Sequence, residues 1–162
     1  MTASSASSTT PEDRLATLGI HLPHPPTPFG AYVPAVQTGS LLFLSGMLAT
    51  SGHSATIVGV VGGKGLDVNA GREAAYTAAL NVLALAQKHL GSLSRVKRVV
   101  RLGVYVAATP EFTDHPKVAD AASELLRDVL GEHTMSSRLV IGVASLPLGS
   151  PVELEVIFEV SD

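Results

Sequence analysis

The sequence predicts a single α+β domain, and three features point to it. Strand-like runs come as hairpin candidates at both ends, and two long stretches between them repeat apolar residues at helical spacing. The apolar positions are mostly Ala, Val and Leu, which suits helices lying close on a sheet. The expected order is β-β-(β)-α-β-α-β-β, a sheet with two helices on one face.

Residues 1–10 are a Ser/Thr/Ala stretch expected to be mobile. Thr10-Pro11-Glu12-Asp13 then reads as an N-cap, a proline at the first helical position and acids in the first turn, giving a short helix to Leu18 that stops at Gly19. Four prolines between His21 and Pro28 impose an extended linker. Residues 1–27 are thus set apart as an N-terminal segment, and residues 28–162 as the domain proper.

Tyr32–Gln37 and Leu41–Gly46 flank the turn Thr38-Gly39 as a first hairpin, and a short third strand is expected around Ile57–Val61. Ala75, Ala78, Ala79, Val82, Leu83, Ala86 and Leu90 form one face of a helix over 68–90, stopped by Gly91. Val96–Ala107 alternates as a strand, with Val100, Leu102, Val104 and Val106 on one side. Asp114 is placed to cap a second long helix whose stripe is Val118, Ala121, Ala122, Leu125, Leu126 and Val129, ended by Gly131. The run from Ser137 to Pro147 and the run from Val152 to Val160 read as a closing hairpin across a Pro/Gly loop.

That last hairpin carries the chemistry. Folded back, it would bring Arg138 near Glu153: a cation able to grip a carboxylate beside an acid able to handle water. On the final strand Leu154, Val156, Phe158 and Val160 point toward the helices, and Glu153, Glu155, Ile157 and Glu159 point away. A structural ion pair between Arg138 and Glu153 or Glu155 is the competing reading.

Composition narrows the function classes. Of 162 residues only 15% are charged, and the mean hydropathy is +0.33. A charge-poor surface fits an oligomer that hides apolar area between subunits. A net charge of −3 argues against a dedicated nucleic-acid or anionic-membrane binder. The basic group Arg95, Lys97, Arg98 and Arg101 reads as a solvated strand start, since no aromatic platform accompanies it. With no cysteine there is no disulfide and no thiolate ligand or nucleophile, which fits a cytoplasmic location. The first residues lack a basic and an apolar region, so no secretory signal is expected, and no apolar run is long enough to span a membrane. The histidines lack metal-ligand spacing, and Gly62-Gly63-Lys64-Gly65 reads as a turn rather than a phosphate loop.

Gly30-Ala31-Tyr32-Val33-Pro34-Ala35-Val36, Leu42-Phe43-Leu44-Ser45-Gly46, Arg138-Leu139-Val140-Ile141-Gly142-Val143-Ala144-Ser145-Leu146-Pro147 and Val152-Glu153-Leu154-Glu155 together resemble the Rid/YjgF family, also called reactive intermediate deaminase or endoribonuclease L-PSP. The similarity runs from about residue 28 to 160. It implies a chorismate-mutase-like (YjgF-like) α+β fold with a mixed sheet, assembled as a homotrimer around a central barrel, with ligand sites in the clefts between subunits. Deaminating members hydrolyse imine or enamine acids to 2-keto acids and ammonia without a metal or organic cofactor. By the same resemblance Arg138 binds the substrate carboxylate, Glu153 positions or activates water, and Tyr32, Ser45, Gly46 and Val140 line the substrate. A non-catalytic trimer binding a small carboxylate, an endoribonuclease and, more remotely, a chorismate mutase are the alternatives. The polar surround departs from the deaminase pattern at Val33-Pro34, Met47 and Ser136-Ser137, and a gapless count puts Pro116 where deaminating members often carry asparagine.

Overall fold

A computed structural model describes residues 9–161. The low-complexity stretch at residues 1–10 therefore lies outside the described residues up to Ser8. Helix α1 (Pro11–Leu18) starts as expected: the Thr10 hydroxyl accepts from the Asp13 amide and the Asp13 carboxylate accepts from the Thr10 amide, a reciprocal capping box. Gly19, at φ 66°, ends it. Leu15 is buried in the main core.

Glu12 ties this helix down. Its carboxylate accepts from the Ser92 hydroxyl at 2.8 Å, the Leu93 amide at 2.8 Å and the Ser94 hydroxyl at 3.0 Å. Burial opposes its ionisation, but the bonds from Ser92, the Glu12 and Leu93 backbone and Ser94 outweigh that and hold the carboxyl below its ordinary range.

Strands β1 (Ala35–Thr38) and β2 (Leu41–Leu44) form the first hairpin, turning at Gly39 and Ser40. β3 (Met47–Leu48) and a small hairpin of β4 (Thr50–Ser51) and β5 (Ser54–Ala55) follow. The third strand expected around Ile57–Val61 does not form. Gly59 and Gly62 adopt positive φ, and Val61 makes only isolated bridges to Leu66 and Ala108.

Helices α2 (Val68–Leu90) and α3 (His115–Leu130) flank β6 (Val96–Ala107), and β7 (Ser137–Val143) and β8 (Val152–Val160) complete the sheet. The order is β1-β2-β8-β6-β7, with β3 also paired to β8. β7 runs parallel to β6 and the other pairs are antiparallel, so the sheet is mixed. Leu102, Val104, Val106 and the apolar side of β8 face the alanine-rich side of α2 and the stripe of α3, forming one core. Buried Asn81 on α2 donates to the carbonyls of Leu48 and Thr50, which fixes β3 and β4 against the helix.

Three expectations are corrected. β7 and β8 are not a hairpin, because β6 lies between them. Val100 does not share the face of Leu102: a register shift between Val99 and Arg101 buries Val99 and leaves Val100 exposed. Asp114 precedes α3 but makes no capping hydrogen bond; its carboxylate pairs with Lys117 at 3.1 Å.

Candidate functional site

A cleft of about 500 Å³ opens where three segments converge on one end of β8. Phe29, Gly30 and Tyr32 come from the extended segment, Ser45, Gly46 and Leu48 from the β2–β3 junction, and Pro147 and Leu148 from the turn before β8, with Glu153 among them. The extended segment is pinned in place. The Ser45 hydroxyl donates to the Val33 carbonyl at 2.7 Å, and the Ser45 amide donates to the Pro34 carbonyl at 2.9 Å. Thr27 bonds the His53 ring at 2.6 Å, and the Phe29 and His53 rings lie 5.1 Å apart. The Tyr32 hydroxyl accepts from the Phe29 amide.

Glu153 lies on the sheet face turned away from the helices, opposite Tyr105 of β6 and Leu48 of β3. Its neighbours on that face are engaged. Glu155 meets Arg101 at 3.3 Å and the Tyr105 hydroxyl at 3.2 Å, and Glu159 meets Arg98 at 3.0 Å. Among the described residues Glu153 has no hydrogen bond or ion pair, and burial pushes its carboxyl above the ordinary 4.5. A half-buried carboxylate without a partner, facing a cleft, is poised to take up a proton.

Arg138 stands elsewhere. In register with Leu102, it lies on the helix side of the sheet, and β6 separates its strand from that of Glu153. The expected approach of Arg138 to Glu153 within one chain is therefore overturned, because β7 pairs in parallel with β6 rather than folding onto β8. One terminal nitrogen of Arg138 donates to Asp120 at 2.8 Å and to Ser123 at 3.0 Å, both on α3. Its other nitrogens have no protein acceptor among the described residues and border an open groove with Met135 and Ser136. Val140, two residues on, packs half-buried against the core.

Of the residues marked out by sequence, the fold gathers Tyr32, Ser45, Gly46 and Glu153 and leaves Arg138 and Val140 apart. The sequence reading missed Phe29, Leu148, Asp120 and Ser123. The first two sit in Pro- and Gly-rich stretches that read as plain loops, and the other two fall off the apolar stripe of α3. The basic group near β6 is largely engaged: Arg95 donates to the carbonyls of Leu90 and Ser161, and Arg98 and Arg101 pair with acids of β8. No group of three or more His, Asp or Glu side chains able to hold a metal occurs among the described residues, and no described helix is long and apolar enough to cross a membrane.

This fold has known counterparts. Residues 12–160 match the family described as "YjgF/chorismate_mutase-like, putative endoribonuclease", and the chain belongs to that family. It is 40% identical to protein TCP17 of Trypanosoma cruzi over 149 residues, 91% of this chain and 92% of the relative. A crystal structure of a protein of unknown function from Agrobacterium tumefaciens superposes with a TM-score of 0.83 at 37% identity, covering 93% of this chain and 92% of that one. A 2-iminobutanoate/2-iminopropanoate deaminase of Dermatophagoides farinae is 27% identical over 139 residues, 85% of this chain and 92% of the relative.

Proposed function

We propose that the protein is a homotrimer that binds a small carboxylic acid in clefts between subunits and hydrolyses imine or enamine acids to 2-keto acids and ammonia. The observation that carries this reading is Glu153, unpartnered, held above its ordinary pKa by burial and facing the cleft with Tyr32 and Gly46. The deaminase relative points to the same chemistry.

Among the described residues of a lone subunit no cation lines that cleft, and assembly supplies one in this reading. β7 is an edge strand, and Val36, Phe43, Leu139 and Ile141 are exposed on the helix-free face of the sheet or its rim. A neighbouring copy seated there would bring its own Arg138 to the mouth of the cleft. With one nitrogen held by Asp120 and Ser123, the remaining edge of the guanidinium is free for a carboxylate. Water held by Glu153 adds through oxygen to the imine carbon, and Glu153 takes its proton. That proton passes to nitrogen to give the carbinolamine. Glu153 then takes the remaining hydroxyl proton and delivers it to nitrogen as the carbonyl forms and the carbon–nitrogen bond breaks, releasing ammonia. An imine is reactive enough that positioning suffices.

One observation favours binding without turnover. The Ser45 hydroxyl is spent on the Val33 carbonyl, and Met47 is buried in the core, so the cleft floor offers few free polar groups. The endoribonuclease reading gains nothing from the net charge of −3. A coupled assay decides. Added to a serine or threonine dehydratase, the protein should speed release of the 2-keto acid. Arg138→Ala should lose about a hundredfold in carboxylate affinity, and Glu153→Gln should bind while failing to hydrolyse. Unchanged hydrolysis in Arg138→Ala would refute the site.

A further inference from the structure

Among the described residues Leu148 is the one non-glycine residue with a positive φ, at φ 58° and ψ 10°. Leucine in this left-handed region is strained, a penalty glycine avoids and asparagine reduces. Leu148 nevertheless remains 46% exposed rather than packed into the core. The backbone around it is fixed from several sides. Gly149 donates to the Leu146 carbonyl, Ser150 donates to that of Pro147, and the Gly149 carbonyl accepts from Gly59 at 2.9 Å. The buried Ser150 hydroxyl donates to the Val152 carbonyl. This strained leucine, about half exposed and carried by a rigid turn, stands on the rim of the Glu153 cleft.

The rest of that wall is also apolar. Phe29 is 44% exposed and lines the same cleft with Leu48 and Pro147, and Glu153 supplies the one carboxylate among the lining residues. A cleft of about 500 Å³ leaves room beyond a three-carbon acid. We infer that Leu148, with Phe29 and Leu48, selects acids whose side chain is apolar and of about four carbons or more, such as the imine derived from leucine, over those of alanine size. This rests on the reading that the Glu153 cleft binds an imine acid. A charged side chain would find no partner on this wall, and an acidic one would be repelled by Glu153.

The test compares imines made in situ by an amino-acid oxidase from leucine and from alanine. For the wild type the leucine-derived imine should have the higher kcat/KM, by at least about tenfold. In Leu148→Gly that ratio should fall about tenfold, and Leu148→Met should keep most of it. Thermal unfolding of Leu148→Gly should lie at or above that of the wild type, which separates a lost contact from a damaged fold. An unchanged ratio in Leu148→Gly overturns the assignment. If no imine is hydrolysed, the enzymatic reading falls by itself and calorimetry decides selectivity: 4-methyl-2-oxopentanoate should bind more tightly than pyruvate, and Leu148→Gly should erase the difference. Equal affinities, or binding of neither acid, overturn the inference.

Discussion

Gly46 and Glu153 are matched by exclusion: a Cβ on Gly46 would overlap Oε1 of Glu153. The glycine is required by the carboxylate rather than by the backbone, since its φ is not positive. Gly46→Ala should therefore displace the end of a flexible side chain, lowering stability by less than about 1 kcal/mol. The proposed hydrolysis should fall by about tenfold or more, because the acid no longer lies where water is held. A variant with full activity and a strongly lowered melting temperature would reverse that assignment of roles.

The raised pKa of Glu153 has a sign that can be measured. A carboxyl whose folded pKa lies above its unfolded value contributes fully below the unfolded pKa, and that contribution is lost as pH rises through the folded one. Glu153→Gln should therefore melt higher than the wild type near pH 7.5, and the gap should close on acidification toward about pH 4. No pH dependence of the gap would show that burial does not hold the Glu153 carboxyl up in the assembled protein.

Glu12 titrates the other way. Its lowered pKa makes its contribution present above the ordinary 4.5 and lost as pH falls through the folded value. Glu12→Ala should cost about 2 kcal/mol at neutral pH, roughly 4–8 °C in Tm, with the penalty fading in acid. A loss that does not vary with pH would place the effect in helix packing rather than in the bonds to Ser92, Leu93 and Ser94.

The exposed apolar residues of the sheet give an assembly test. Light scattering should report three times the chain mass of 16.7 kDa, and Ile141→Lys combined with Phe43→Lys should yield monomers with unchanged helix and strand content. A monomeric wild type at micromolar concentration would remove the proposed route by which Arg138 reaches the cleft.

The elements were legible in the sequence because their signals are local. The alanine and leucine spacing gave α2, the stripe from Val118 to Val129 gave α3, and alternation gave β6 and β8. Which strands pair is not local information. Alternation at Arg138 and Glu153 fits a hairpin as well as it fits strands separated by β6, and the parallel crossover through α3 decides between them. Glu153 stood out as an acid in an otherwise apolar strand, whereas Tyr32, Ser45 and Gly46 were found through family motifs, since nothing in their spacing brings them together. Leu148 could not be found at all, because Leu148-Gly149 reads as an ordinary turn until the backbone angle is seen.

The position of β8 governs how the molecule must be made. It lies between β2 and β6, yet every other strand precedes it in the chain. Until those nine residues leave the ribosome, β2 and β6 each present an open hydrogen-bonding edge with apolar side chains behind it. A nascent chain stalled or cut before Val152 is therefore two half-sheets without a centre, a substrate for chaperones and proteases rather than a smaller working protein.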